Sequence, residues 1–346
     1  IARTIPGRLH NRGLRNGAAP VTMKKTNIHV EREWTHMKKA LVIGGNGKVG
    51  GYLCPLLLRE GYEVRSVSRS GKLPPAPQDG YEQVEAIRLD RGQEGFEAQI
   101  AALGDQDVVV DMICFQLEDM ERLVRALRGK VGHYLVCGSA WMHGHSSQVP
   151  VREEEDRDPL CEYGRQKSAM DRALGELYGR EAFPGTAVHP GHIVCPNTWP
   201  INPQGHNEPW VFAHMRQGKR LTLPNLGMET LHHVHAADVA GVFLAAIRAG
   251  GRSFGQGYHA VSDRALTLRG YASQVYAWYG YEPRLDFLPV EEWGKGVSEH
   301  AYQQCLDHIR HSPSYSMEKA KEQLGFAPAH SSLQAVRECL QSLGAL

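Results

Sequence analysis

A glycine-rich turn between an apolar run and a helical one constrains this chain more than any other feature. Lys39 to Ile43 reads Lys-Ala-Leu-Val-Ile, short and apolar, as a strand buried on both faces requires. Gly44-Gly45-Asn46-Gly47-Lys48-Val49-Gly50 comes directly after it, and residues 49–59 are apolar enough for a helix packed on a sheet. Glycines at 44, 47 and 50 let a strand turn sharply into a helix and let the backbone approach a ligand closely. The free amides at the helix N-terminus then suit an anion such as a pyrophosphate. This makes Gly44, Asn46, Gly47, Lys48, Val49 and Gly50 the candidate cofactor-binding loop. A glycine turn with no ligand has the same spacing, so the residues downstream must decide. Pro55 lies inside the expected helix, removes one backbone bond and predicts a kink.

The downstream pattern supports a nucleotide fold. Further strands are expected at 63–67, 85–89 and 107–113, with helical stretches between them. Strand alternating with helix implies an α/β protein with a Rossmann-type doubly wound parallel sheet. The end of the second strand is where an adenosine ribose should lie, and an acid there would suit a bare diol. This chain has Ser68-Arg69-Ser70 instead. A guanidinium and two hydroxyls suit a 2′-phosphate, which favours NADP over NAD. Asp90, at the end of the third strand, is placed to accept from an adenine amino group. The competing readings are a solvated arginine and a simple turn aspartate.

Tyr163-Gly164-Arg165-Gln166-Lys167 forms a second constellation. The spacing i, i+4 puts Tyr163 and Lys167 on one face of a helix that runs on through Leu174. The ammonium is then expected to lower the phenol pKa, fitting Tyr163 for proton transfer near neutral pH. Upstream, Leu135 to Ala140 reads as a strand entering a turn that presents the Ser139 hydroxyl to a substrate oxygen.

These residues, in this order, resemble an extended short-chain dehydrogenase/reductase of the NAD-dependent epimerase/dehydratase family. The likeness runs from Met37 onward. It includes the glycine loop, Ser139 with Gly144, the Tyr163/Lys167 pair, His189 to Val194 after the sixth strand, and His235 to Ala240. The resemblance implies Tyr163 as acid/base, Lys167 as pKa-lowering and ribose-binding, and Ser139 as orienting the substrate. It also implies that Pro190, His192 and Ile193 line the nicotinamide end of NADP or NAD. His189 stands where that segment has Arg. Dehydratases of the family carry Thr-Asp-Glu at the Ser139 site, whereas this chain has Ser139-Ala140-Trp141, so dehydration is disfavoured.

Trp141, His143, Asn197 and Trp199 are the expected substrate contacts, the last two in a loop rich in Pro, Asn and Trp. The expected organisation is a dinucleotide-binding domain at 37–195, with 233–250 packing back on it. Residues 196–232 and 251–346 form a smaller C-terminal substrate lobe. His232, His233 and His235 invite a metal reading, but a strand would point His232 away from the other two, and no metal site is expected. Glu153 to Asp156 reads as a solvated loop.

Charge and composition narrow the function. With 39 Lys+Arg against 38 Asp+Glu among 346 residues, there is no electrostatic case for nucleic acid or a membrane surface as partner. The 7 cysteines are scattered without Cys-x-x-Cys spacing, which suits reduced thiols in a cytoplasmic protein. Residues 1–36 are Arg-rich and acid-poor, and they read as a disordered leader or upstream sequence. The expected activity is hydride transfer on a sugar or nucleotide-sugar substrate. The alternatives are carbonyl reduction of a non-sugar substrate and a non-catalytic nucleotide- or RNA-binding module. Homodimerisation is expected by analogy with the family.

Overall fold

The structure, a computed structural model, describes residues 37–155 and 157–346, and the leader at 1–36 lies outside them. Six parallel strands carry the first half of the chain: β1 (Lys38–Ile43), β2 (Tyr62–Ser68), β3 (Glu85–Arg88), β4 (Gln106–Asp111), β5 (Val131–Cys137) and β6 (Gly185–Pro190). Between them run α1 (Gly50–Arg59), α2 (Phe96–Ala102), α3 (Leu117–Leu127) and α4 (Glu162–Glu181). A seventh parallel strand, Gln256–Ala260, pairs with β6, so the sheet order is Gln256–Ala260, β6, β5, β4, β1, β2, β3. The strand order reverses between β1 and β4, and the crevice at their carboxyl ends is where such sheets take ligands.

Burial explains the layers. Residues 40–43 of β1 are fully buried, the continuous apolar run that a sheet covered on both faces demands. On one face α1 and the helix Ala236–Ala249 close a core that includes Leu53, Leu57, Val239 and Phe243. On the other face α3 contributes Met120, Leu123, Val124 and Leu127, the i, i+3, i+4, i+7 stripe of an amphipathic helix. Each such side chain contributes about 1.5–3 kcal/mol of transfer free energy.

Two local departures have physical causes. Helix α1 continues through Pro55 because the carbonyl of Gly51, which Pro55 cannot serve, accepts from the Gln78 amide at 3.1 Å. The loop before β3 thus supplies the bond that the proline removes. The strand Gln256–Ala260, expected in the substrate lobe, instead extends the central sheet, and Tyr258 and His259 are fully buried there.

The C-terminal lobe has its own core of Val211, Phe212, Leu223, Tyr271, Tyr276 and Leu340. Its helices begin on side-chain caps. The Ser298 hydroxyl accepts from the Ala301 amide at 3.0 Å at the start of Glu299–His311. Ser331 and Gln334 form a reciprocal capping box at the start of Ser332–Ser342.

Candidate active site

The loop after β1 is built for close approach. Gly44 sits at φ +84°, a left-handed conformation that costs glycine little. A Cβ on Gly50 would come within 1.9 Å of the Gly45 carbonyl, so the first turn of α1 packs directly on the loop. Gly47 is exposed, and a Cβ there would meet only the Gly44 carbonyl at 3.2 Å. No side chain caps α1 at Val49, and since the Gly51 amide already donates to the Gly47 carbonyl at 3.2 Å and that of Tyr52 to the Val49 carbonyl at 3.1 Å, an anion would meet the amides ahead of them, at 48–50. Asn46 is fixed in place: its Oδ1 accepts from Ser66 at 2.5 Å and its Nδ2 donates to the Lys72 carbonyl at 2.5 Å. Lys48 Nζ reaches over to the Ile193 carbonyl at 3.1 Å, tying the glycine loop to the strand His192–Val194. Open glycine backbone, uncapped amides and a nearby ammonium fit a dinucleotide pyrophosphate.

At the end of β2, Ser68 accepts from the Gly71 amide at 3.2 Å, while Arg69 and Ser70 are exposed. Arg88 Nε donates to the Arg69 carbonyl at 3.2 Å and fixes the turn from which the Arg69 side chain extends. Asp90 closes its own turn by accepting from the Gly92 amide at 3.0 Å.

A cleft of about 560 Å³ opens beyond this loop, and Lys48, Ser139, Trp141, Tyr163, Lys167, Pro190, His192, Ile193 and Trp199 all line it. Ser139 follows β5 and starts a short turn of helix, its Oγ accepting from the Trp141 amide at 3.2 Å. Tyr163 stands in the first turn of α4, between the rings of Phe115 and Trp141, each 6.4 Å away. Lys167 lies one turn further on and is buried; its Nζ donates to the carbonyls of Cys114 and Cys137, both at 2.6 Å.

The electrostatics differ from the expectation. Burial and the neighbouring Cys137 push the Tyr163 phenol up to about 12, while the Ser139 hydroxyl acts in the opposite direction. Burial also lowers Lys167, whose ammonium is 5.5 Å from the centre of the Tyr163 ring and is engaged by two carbonyls. Lys167 therefore does not bring Tyr163 into the neutral range in this geometry, and at pH 7 Tyr163 holds its proton.

Three other expectations are corrected. His143 does not line the cleft: it is fully buried, with Nε2 3.0 Å from Nε2 of His259. Asn197 also points elsewhere, its Nδ2 donating to the Pro75 carbonyl at 3.0 Å and its amide to Ser342 Oγ at 2.8 Å. Glu153 is not in a solvated loop but buried, accepting from the His259 amide at 2.8 Å, and burial raises its pKa. His189, at the position of the family's Arg, bonds through Nε2 to Asp171 Oδ1 at 2.9 Å. That carboxyl is held far below the usual range by His189 and Arg157 despite its burial.

The histidine run is split among separate backbone partners. His232 Nε2 meets the Ser262 carbonyl at 2.8 Å, and His233 Nε2 meets that of Ile201 at 3.2 Å. Among the described residues, His235, His330 and Glu338 have donor atoms within 4.8 Å of one another. His235 Nδ1, however, accepts from the Ala237 amide at 3.1 Å, which leaves the ring proton on Nε2. That atom lies 3.2 Å from Glu338 Oε2 without the alignment of a hydrogen bond, and His330 Nδ1 is engaged by Asp238 Oδ2 at 3.0 Å.

Sequence reasoning missed Met112 and Phe115, which follow β4 and line the cleft. The rule that ligands bind at strand carboxyl ends would have found them. It also missed Gln304, His308, Pro313 and Tyr315, for which no local motif gives a signal.

A doubly wound parallel sheet with a glycine turn after its first strand, and Ser, Tyr and Lys converging on one cleft, defines an extended short-chain dehydrogenase/reductase. The chain belongs to the NAD dependent epimerase/dehydratase family, whose model matches residues 40–256. It is 26% identical over 302 residues to chloroplast stem-loop binding protein of 41 kDa b from Arabidopsis thaliana, covering 84% of this chain and 75% of that one. It is 27% identical over 266 residues to 2′-dehydrokanamycin reductase from Streptomyces kanamyceticus, covering 76% and 72%. UDP-glucose 4-epimerase from Thermotoga maritima, solved with UDP-glucose, superposes with a TM-score of 0.67 at 16% identity, covering 88% of this chain and 98% of that one. The last likeness concerns the fold. None of the described helices is long and apolar enough to cross a membrane.

Proposed function

We propose that this protein is an NADP(H)-preferring oxidoreductase that moves hydride between a nicotinamide and a carbinol or ketone carbon of a sugar-type substrate, with Tyr163 as acid/base. The observation that carries this reading is the convergence of Ser139, Tyr163 and Lys167 on the cleft that Lys48 and the Pro190 to Ile193 segment also line. The glycine loop and Lys48 would hold the pyrophosphate, Arg69 and Ser70 a 2′-phosphate, and Lys167 the nicotinamide ribose. The bound nicotinamide would supply or accept the hydride. In the reducing direction Ser139 donates a hydrogen bond to the substrate oxygen, and Tyr163 delivers its proton to that oxygen as the carbon becomes a carbinol. A phenol protonated at pH 7 suits that role. Ala140 and Trp141 supply no acid or base for elimination, which argues against dehydration. The reductase relative from Streptomyces supports reduction with an exchangeable cofactor.

The test is to purify the protein, denature a sample, assay released nucleotide, and titrate the remainder with NAD(H) and NADP(H). An empty protein that binds NADPH more tightly than NADH is the expected result. Stoichiometric NAD carried through purification would instead mean an internal redox cycle and epimerisation. The stem-loop binding relative favours a second reading, a nucleic-acid-binding module on the same fold. Salt-sensitive retention of RNA on a filter would support that reading, and failure to bind either dinucleotide would displace the first.

A further inference from the structure

The substrate half of the cleft carries no charge. Of all its described lining residues only Lys48 and Lys167 are charged, and no Arg, Asp or Glu is among them. Both lysines are held on the cofactor side, Lys48 by the Ile193 carbonyl and Lys167 by those of Cys114 and Cys137. The histidines in the lining are neutral at pH 7. Burial lowers His192 and His308, and it takes His232 down to about 4.

The remaining surfaces are flat rings and carboxamides. Trp141 and Trp199 present aromatic faces, with Trp141 stacked on His311 at 4.1 Å and 9° and Trp199 stacked on Phe212 at 5.9 Å and 18°. Gln304 Oε1 accepts from the Asn207 amide at 3.0 Å, which turns its NH₂ group into the available donor. Asn207, beside it, adds a second carboxamide. Rings and amides of this kind suit the C–H faces and hydroxyls of a saturated ring. A diphosphate would lose its hydration with no guanidinium or free ammonium to replace it, and a substrate ammonium would find no carboxylate.

We propose that the substrate is an uncharged polyhydroxylated ring, a free sugar or cyclitol at the alcohol or ketone level, and not a nucleotide sugar or an amino sugar. This rests on the hydride-transfer reading of the same cleft, and it assigns Gln304 and Asn207 as the residues that select for neutral hydroxyls.

The test uses the full chain saturated with NADP⁺ and a panel in three charge classes. The neutral class is glucose, galactose and myo-inositol; the anionic class is UDP and UDP-glucose; the cationic class is glucosamine. Binding is read from tryptophan fluorescence and turnover from the absorbance of the reduced nicotinamide. Binding by a neutral member, with UDP and glucosamine silent in both readouts, is the expected result. Binding or turnover of UDP-glucose or glucosamine in preference to the neutral class overturns the proposal and leaves hydride transfer standing. Silence of the whole neutral class in both readouts overturns it too. Neutral binding with no turnover in any class keeps the assignment of charge and removes hydride transfer. A Gln304→Lys variant, which places an ammonium at the wall, should lower the dissociation constant for UDP by roughly tenfold. An unchanged constant would show that neutrality of this wall is not what rejects the diphosphate.

Discussion

At the scale of single residues, Tyr163 carries the sharpest expectation. Its phenol lines the open cleft and interacts with the Ser139 hydroxyl, so Tyr163→Phe should lower kcat by about 10²–10⁴-fold, with NADPH affinity changed only slightly. Steady-state kinetics beside a binding titration checks both halves. Arg69→Ala should weaken NADPH binding by roughly tenfold and leave NADH binding unchanged, because the guanidinium is exposed at the end of β2 where a 2′-phosphate would lie. Equal losses for the two cofactors would remove the basis for an NADP preference. The Tyr163 and Lys167 pair was legible because i, i+4 spacing is a local property of a helix. The partners of Lys167 were not, because the carbonyls of Cys114 and Cys137 arrive from the loop after β4 and from the end of β5. Asn197 failed as a substrate residue for the same reason: its partners, Pro75 and Ser342, are far away in the chain.

At the scale of elements, the β1-loop-α1 unit separates folding from binding. Gly50→Ala would drive a Cβ to 1.9 Å from the Gly45 carbonyl, so it should destabilise the native state and lower Tm by several degrees. Gly47→Ala meets only the Gly44 carbonyl at 3.2 Å, so Tm should stay nearly constant while cofactor affinity falls tenfold or more. Thermal melts with and without NADPH distinguish the two. The first strands and α1 were readable from apolar runs and glycines, signals contained within a few residues. Pro55 was readable as a lost bond, but its compensation by Gln78 was not, since that amide is supplied by a loop outside the helix. The place of the strand Gln256–Ala260 in the central sheet was not legible because its Gly257, Tyr258 and His259 give no continuous apolar run, although four of its five residues are buried.

At the scale of the whole molecule, the buried histidines set an acid limit. Burial lowers His133, His206, His232 and His235 to about 4 and His233 to about 3. These groups are neutral in the native state and titrate near 6.5 when unfolded, so between roughly pH 4 and 6.5 the unfolded chain binds more protons. Stability is therefore full above about pH 6.5 and falls as pH drops toward 4, by about 1.4 kcal/mol per pH unit for each such histidine. Asp171, with its carboxyl held low by His189 and Arg157, adds stability that is present above about pH 4 and lost in stronger acid. Urea midpoints measured from pH 8 to pH 5 should fall steeply below about 6.5, and a flat profile would mean that the histidines take up protons without unfolding. Composition alone, with 18 histidines and a net charge of +1, foretold none of this, because burial is a property of the finished packing.

The helix Glu299–His311 and the segment after it bring Gln304, His308, Pro313 and Tyr315 to a cleft whose Ser139, Tyr163 and Lys167 lie before residue 170. During synthesis the chain therefore possesses Ser139, Tyr163 and Lys167 long before it possesses this part of the wall around them. That part of the wall is the last to be translated, and alterations confined to the final 50 or so residues can reshape the cleft without replacing Ser139, Tyr163 or Lys167.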